Sequence, residues 1–168
     1  MKETLLALLM QLTSHEKEIL ETATTQCVCA GTVDEDKKEI LARILIMERA
    51  AEVPEELRGM TLAAACSESC YSFDAIGDSG KAIGMFQLHN WTRKFVDRES
   101  PLESAAFWLE HVQSRAMQNP CGFDDKVQQW INGWVRAVRA PKGGRCKERP
   151  LHLRALARWK HHQQTAQE

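Results

Sequence analysis

The sequence predicts a mainly α domain, about seven helices with one minimal β segment. Three observations carry that expectation. Apolar residues recur at helical spacing along most of the chain, helix-start signals punctuate it, and only the glycine-interrupted run at 82–88 reads as strand-like. The 168 residues suffice for one domain with a real core. Within them, 1–35 reads as an N-terminal helical extension and 36–168 as the main domain, ending in a basic helix.

Leu5, Leu6, Leu9, Leu12, Ile19 and Leu20 mark a first helix over 3–22, with a break expected near Thr13 and Ser14. Residues 24–32 read as a loop. Asp34 or Asp36 is a credible N-cap for a second helix to about Ala51, carried by Ile40, Leu41, Ile44, Leu45 and Met47. Glu48 on that helix reads as a solvated residue. Val53-Pro54-Glu55-Glu56 opens a third helix, because proline suits a first turn and acids favour its positive end. That helix is expected to run from Pro54 to about Cys70.

After the glycine turn and the 83–88 segment, 89–92 looks like another helix entry. Ser100-Pro101-Leu102-Glu103 is a clear one, with Ala105, Ala106, Trp108, Leu109 and Val112 facing inward. Residues 119–122 break that helix. Asp124 or Asp125 opens the next, through Val127, Trp130, Ile131, Trp134, Val135 and Val138. Pro141-Lys142-Gly143-Gly144 reads as a loop, and 149–162 as the final helix.

The net charge of −1 conceals an asymmetry. Between 136 and 162 stand Arg136, Arg139, Lys142, Arg145, Lys147, Arg149, Arg154, Arg158 and Lys160, opposed by Glu148 alone. Such an end favours anionic partners: cell-wall polymers, lipid surfaces or nucleic acid. Nothing reaches the length of a membrane span. Leu5 to Leu12 lacks a small-residue cleavage site and reads as an amphipathic helix rather than a signal peptide.

Six cysteines, an even count, favour disulfides in an oxidising compartment over free buried thiols or a metal site. Cys27-x-Cys29 cannot easily close on itself, and Cys66 and Cys70 lie one helical turn apart. The tidier framework links the first pair to the second and Cys121 to Cys146, with the pairing inside the first set left open.

The stretch from Cys66 to His89 carries the chemistry. Glu68 stands near the end of an apolar helical run, Met60, Leu62, Ala63, Ala65 and Cys66, between Ser67 and Ser69. A glycine-rich turn, Gly77 and Gly80, then leads into Ala82-Ile83-Gly84-Met85-Phe86-Gln87-Leu88. An acid beside such a segment is how a general acid is kept protonated towards neutral pH. The plainer alternative is a solvated glutamate at a helix end.

The order E-S, spacer, G-D-x-G-x-x-x-G-M-F-Q-L resembles the lysozyme-like superfamily of lytic transglycosylases and goose-type lysozymes, over about a third of the chain. Val53, Pro54 and Leu57 also stand where lytic transglycosylases have a V-P-x-x-L phrase ahead of their glutamate. The resemblance implies an α+β lysozyme-like fold whose β segment lines a glycan cleft. It also implies cleavage of the β-1,4 bond between N-acetylmuramic acid and N-acetylglucosamine in peptidoglycan, with Glu68 as general acid and then base.

By the same resemblance Ser69 supports the acid, Gln87 shapes the sugar cleft, and Gly84 lets the backbone approach substrate. Met85 and Phe86 read as core and cleft wall. Asp78 matches the second acidic position of the goose-type pattern and could position water, although aspartate is also a good turn residue. Asp74 is a weaker candidate of that kind. His89 replaces a further acid of the pattern. The later Y-N-A-G phrase has its closest match in Ile131-Asn132-Gly133-Trp134, which places Asn132 at the cleft and leaves the tyrosine missing. Tyr71, the single tyrosine, follows Glu68 by three residues and is the remaining candidate.

Five tryptophans include some that could stack on sugars, but Trp108, Trp130 and Trp134 fall on apolar helix faces and read as core. The six histidines show no metal-ligand spacing, and no cofactor is required. The expectation is thus a monomeric peptidoglycan-cleaving enzyme, with the basic end touching anionic wall polymers or simply solvated. A wall enzyme of this kind is expected to be secreted, periplasmic or phage-delivered: either a signal has been removed from this chain, or delivery is by a phage holin, a virion or a secretion apparatus. The resemblance favours a lytic transglycosylase with Glu68 as its single catalytic acid, ending in a 1,6-anhydro sugar. Three rivals remain: a hydrolytic goose-type muramidase using Asp78 and water, a non-catalytic binding or structural member of the fold, and a helical nucleic-acid binder that would leave the Glu68 to Gln87 pattern unused.

Overall fold

The computed structural model describes residues 2–138 and 145–168. Among them are seven α-helices and a small antiparallel sheet ordered β1-β2-β3. The helices are α1 Lys2–Gln11, α2 Ser14–Gln26, α3 Glu35–Ala50, α4 Met60–Ser69, α5 Pro101–Gln118, α6 Lys126–Val138 and α7 Leu153–Ala166. The strands are β1 Ile76–Gly77, β2 Ala82–Ile83 and β3 Leu88–His89, with Ile76 opposite Ile83 and Ile83 opposite Leu88. This is the mainly α architecture with a minimal β segment that the sequence predicts. The expected loop at 141–144, and Arg139 and Lys142 of the basic segment, lie outside the described residues.

Local chemistry sets most boundaries. Thr13 and Glu16 form a reciprocal capping box that starts α2 and separates it from α1, at the expected break. Asp34 Oδ1 accepts from the Lys37 N–H to start α3, and Ser100 Oγ accepts from the Glu103 N–H to start α5. Asn119 ends α5 in the left-handed conformation. The expected single helix from Pro54 to Cys70 is broken: a short 3₁₀ turn, Glu55–Leu57, is followed by extended Arg58 and by Gly59 at φ 91°, and only then does α4 begin. Glycine takes that backbone angle without the Cβ penalty other residues meet.

All six residues from Met60 to Ala65 are buried, and α2, α3, α5 and α7 each contact α4. Ala63, Ala64 and Ala65 give it the narrow waist that so many neighbours require. One hydrophobic cluster extends from Leu8, Leu12 and Ile19 through Leu41 and Leu62 to Trp108, Trp134 and Trp159. The helices before residue 35 and the remainder of the described chain therefore share a core.

Glu48, read from sequence as solvated, is fully buried instead. Its two carboxylate oxygens accept from the N–H groups of Gly59 and Thr61, both at 2.7 Å. The helix break explains this. An α-helix starting at Met60 inside the core presents unpaired N–H groups, and Gly59 has no side chain to cap them.

The disulfides are Cys27–Cys66, Cys29–Cys70 and Cys121–Cys146, so the first cysteine pair joins the second as expected. The first two close spans of 39 and 41 residues and fasten the C-terminal end of α4 on both sides of Glu68. In a chain-entropy account each contributes about 3–4 kcal/mol. Cys27, Cys29 and Cys66 bring their sulfurs together, but all three are consumed in disulfides.

At the far end, the Lys160 ammonium of α7 donates to His15 Nε2 at 3.2 Å. Burial pushes the Lys160 ammonium below its ordinary value. Burial and the Lys160 charge together push His15 down as well. Arg149, Arg154 and Arg158 remain exposed. No helix among the described residues is long and apolar enough to cross a membrane.

Candidate active site

Glu68 belongs to the last turn of α4, where Cys70 turns left-handed and ends the helix. Its side chain is 30% exposed, at the head of a cleft of about 380 Å³. Asp78, Gln87, Trp91, Phe107 and His111 line the same cleft. Residues 78 and 87 reach it because the β1-β2-β3 meander folds back beside the end of α4.

The meander is tied to α4 directly. Ser69 Oγ donates to the Met85 carbonyl at 2.8 Å and to the Ala65 carbonyl at 3.2 Å. Ser69 thus couples the turn after Glu68 to the segment carrying Gln87. Gln87, itself at φ 47°, donates through Nε2 to the carbonyls of Ala75 and Gly84. Its amide holds the meander's shape, and the residue lines the cleft.

Gly84 has a different task from the one expected. At φ 84° it turns the chain between β2 and β3, and an added Cβ would collide with the Arg98 carbonyl. The approach that demands glycine is to this chain's own backbone, and Gly84 is absent from the cleft lining. Met85 is fully buried, as a core residue should be. Phe86 stacks on Trp108 with ring centroids 5.8 Å apart and forms part of the cleft wall.

Three sequence candidates, Tyr71, Asn132 and Asp74, sit elsewhere. Tyr71 is fully buried, and its hydroxyl donates to the Ala23 carbonyl at 2.9 Å. Burial pushes its phenol strongly upward, which keeps the hydroxyl a donor. The left-handed turn at Cys70 and Tyr71 swings the ring into the core, away from Glu68. Asn132 is 3% exposed on α6 and also stands outside the cleft lining. Asp74, exposed, accepts from Ser72 Oγ and does not line the cleft.

Asp78 is 64% exposed in a 3₁₀ turn, with Oδ2 3.1 Å from His89 Nε2. His89, which replaces the pattern's further acid, therefore pairs with the acid that is present. In the same lining, Trp91, Phe107 and His111 form an aromatic group with ring centroids about 6 Å apart. Burial, then the neighbouring Arg115 charge, hold His111 below the usual imidazole range. That aromatic wall is consequently uncharged near neutral pH. Trp91 is 57% exposed.

Phe107 and His111 of the cleft lining were not singled out in the sequence, and neither was the partner of Glu68. His152, 6% exposed just before α7, places Nε2 2.9 Å from Glu68 Oε1. Its Nδ1 accepts from the Trp134 indole N–H at 3.1 Å. No local spacing signals it, because 84 residues separate the two partners. Chemically, the arrangement offers one carboxyl group with a fixed hydrogen bond, a second carboxylate in the same cleft lining, and an aromatic wall. No protein-family model, curated protein or solved structure matches the chain.

Proposed function

We propose that the chain cleaves peptidoglycan glycan strands at the β-1,4 bond between N-acetylmuramic acid and N-acetylglucosamine, as a lytic transglycosylase. The supporting observation is that Glu68, Asp78 and Gln87, residues of two separate sequence phrases, line one cleft. Glu68 delivers its proton to the bridging oxygen as the bond to C1 of the muramic acid breaks. The C6 hydroxyl of the same sugar then attacks C1, and the Glu68 carboxylate takes the hydroxyl proton. A 1,6-anhydro sugar forms, the carboxyl group regains its proton, and no water is consumed. Three disulfides fit a compartment outside the reducing cytosol, where this substrate lies. The exposed Arg149, Arg154 and Arg158 suit an anionic wall polymer.

A second reading, hydrolysis in the goose-type manner, is favoured by one observation: Asp78 lines the same cleft and pairs with His89. A second carboxylate so placed can activate water. Mass spectrometry of products from purified peptidoglycan separates the two. The expected products are anhydro-muropeptides, which persist in Asp78→Asn with kcat within about tenfold of wild type. Reducing-end products that vanish in Asp78→Asn would establish the hydrolase. No products from folded wild type on several wall types would leave a binding role.

The aromatic wall makes its own prediction. A sugar face laid on exposed Trp91 buries apolar C–H surface against the indole, an interaction of about 1 kcal/mol. Trp91→Ala should therefore raise KM about fivefold with little change in kcat. An unchanged KM for soluble glycan strands would remove Trp91 from the binding surface.

A further inference from the structure

His152 is nearly buried, touches the acid, and has both ring nitrogens engaged. An indole N–H can only donate, so Nδ1 of His152 must be the acceptor of the Trp134 bond. The imidazole hydrogen is therefore on Nε2 and points at Glu68 Oε1. A proton added at Nδ1 would set two donors against each other in a buried site.

We propose that His152, fixed by Trp134 as the Nε2–H tautomer, is the positioning residue of Glu68: it holds Oε1 as an acceptor and leaves Oε2 to carry the transferred proton. The proposal rests on the glycosidase reading of the same site. Its chemical point is that Nε2–H can donate to Oε1 in either state of Glu68. Protonated Glu68 presents Oε1 as a carbonyl oxygen, and ionised Glu68 presents it as a carboxylate oxygen. The acid therefore gives up its proton and takes one back at Oε2 without rotating its carboxyl group. The Trp134 indole that fixes the tautomer is fully buried and lies edge-on to Trp108 at 5.9 Å.

The test combines a spectroscopic signature with kinetics. In ¹⁵N-labelled protein, long-range imidazole correlations should show the Nε2–H tautomer for His152, and Glu68→Gln should move the Nε2 resonance. Trp134→Phe, which keeps an aromatic ring and removes the N–H, should release the tautomer preference. On peptidoglycan, His152→Ala should lower kcat about 100-fold with KM within about twofold, and His152→Gln, which restores an N–H donor, should recover about tenfold of that loss.

An Nδ1–H tautomer in the wild type would overturn the proposal. So would wild-type kcat in a folded His152→Ala, or an equal loss in His152→Ala and His152→Gln. If wild type releases no products, the glycosidase reading fails and the catalytic role falls with it. The resonances still decide the hydrogen bond, so the two failures are distinguishable.

Discussion

Glu68→Gln should abolish product release from peptidoglycan, lowering kcat by about 10³-fold or more, with the thermal midpoint close to that of wild type. The substitution is chosen for what it keeps. A glutamine Oε1 still accepts from His152 Nε2–H, so the bond at 2.9 Å survives and the cleft retains its shape. Only the transferable proton is lost. Under the proposed mechanism no other group replaces it, because Asp78 is 64% exposed in a separate turn and engaged with His89. Circular dichroism should confirm folding, and single-turnover product release should give the rate. A folded Glu68→Gln that keeps rates within about tenfold of wild type would remove Glu68 from the chemistry. The magnitude also separates Glu68 from Ser69. Loss of the Ser69 bond to Met85 would loosen the meander rather than delete the acid.

The elements legible in the sequence were those fixed by neighbours along the chain. Caps at Thr13, Asp34 and Ser100, and the left-handed stop at Asn119, depend on contacts within four residues. The convergence of Glu68, Asp78 and Gln87 was legible for a related reason. Ten and nine residues separate them, and a short meander can hardly avoid bringing them together. What escaped is held by distant partners. His152 reaches Glu68 from the start of the last helix, and nothing in Pro150-Leu151-His152 announces its partner. Tyr71 was misplaced because counting residues from Glu68 ignores the left-handed turn at Cys70 that redirects the chain. Gly84 was read for a ligand and answers to the Arg98 backbone, a contact fourteen residues away. Glu48 failed in the same way, since helical spacing alone cannot reveal that the next helix begins underneath it.

Glu48→Ala should destabilise the fold by about 2–5 kcal/mol, a fall in melting temperature on the order of 10 °C, with disulfides intact. The loss has two parts. The N–H groups of Gly59 and Thr61 lose their acceptors at 2.7 Å in a site closed to water, and a cavity opens between α3 and α4. The pH dependence follows from the direction of the Glu48 shift. Burial pushes its carboxyl above the ordinary value of 4.5, and the two N–H groups and Arg58 oppose that push without reversing it. The folded chain then holds the Glu48 proton more tightly than the unfolded chain does. Its titration contributes stability that is fully present below the unfolded value and lost as pH rises through the folded one. The gap between wild type and Glu48→Ala should therefore widen toward acid pH and narrow toward neutral. Urea denaturation across that range measures it directly. An unchanged midpoint at every pH would show that water or a rearranged α4 start satisfies the two N–H groups. A gap that widens with rising pH would mean that the N–H groups outweigh burial and that Glu48 is ionised more easily in the fold than outside it. Either result bears on the candidate site, because α4 carries Glu68 at one end and is capped by Glu48 at the other.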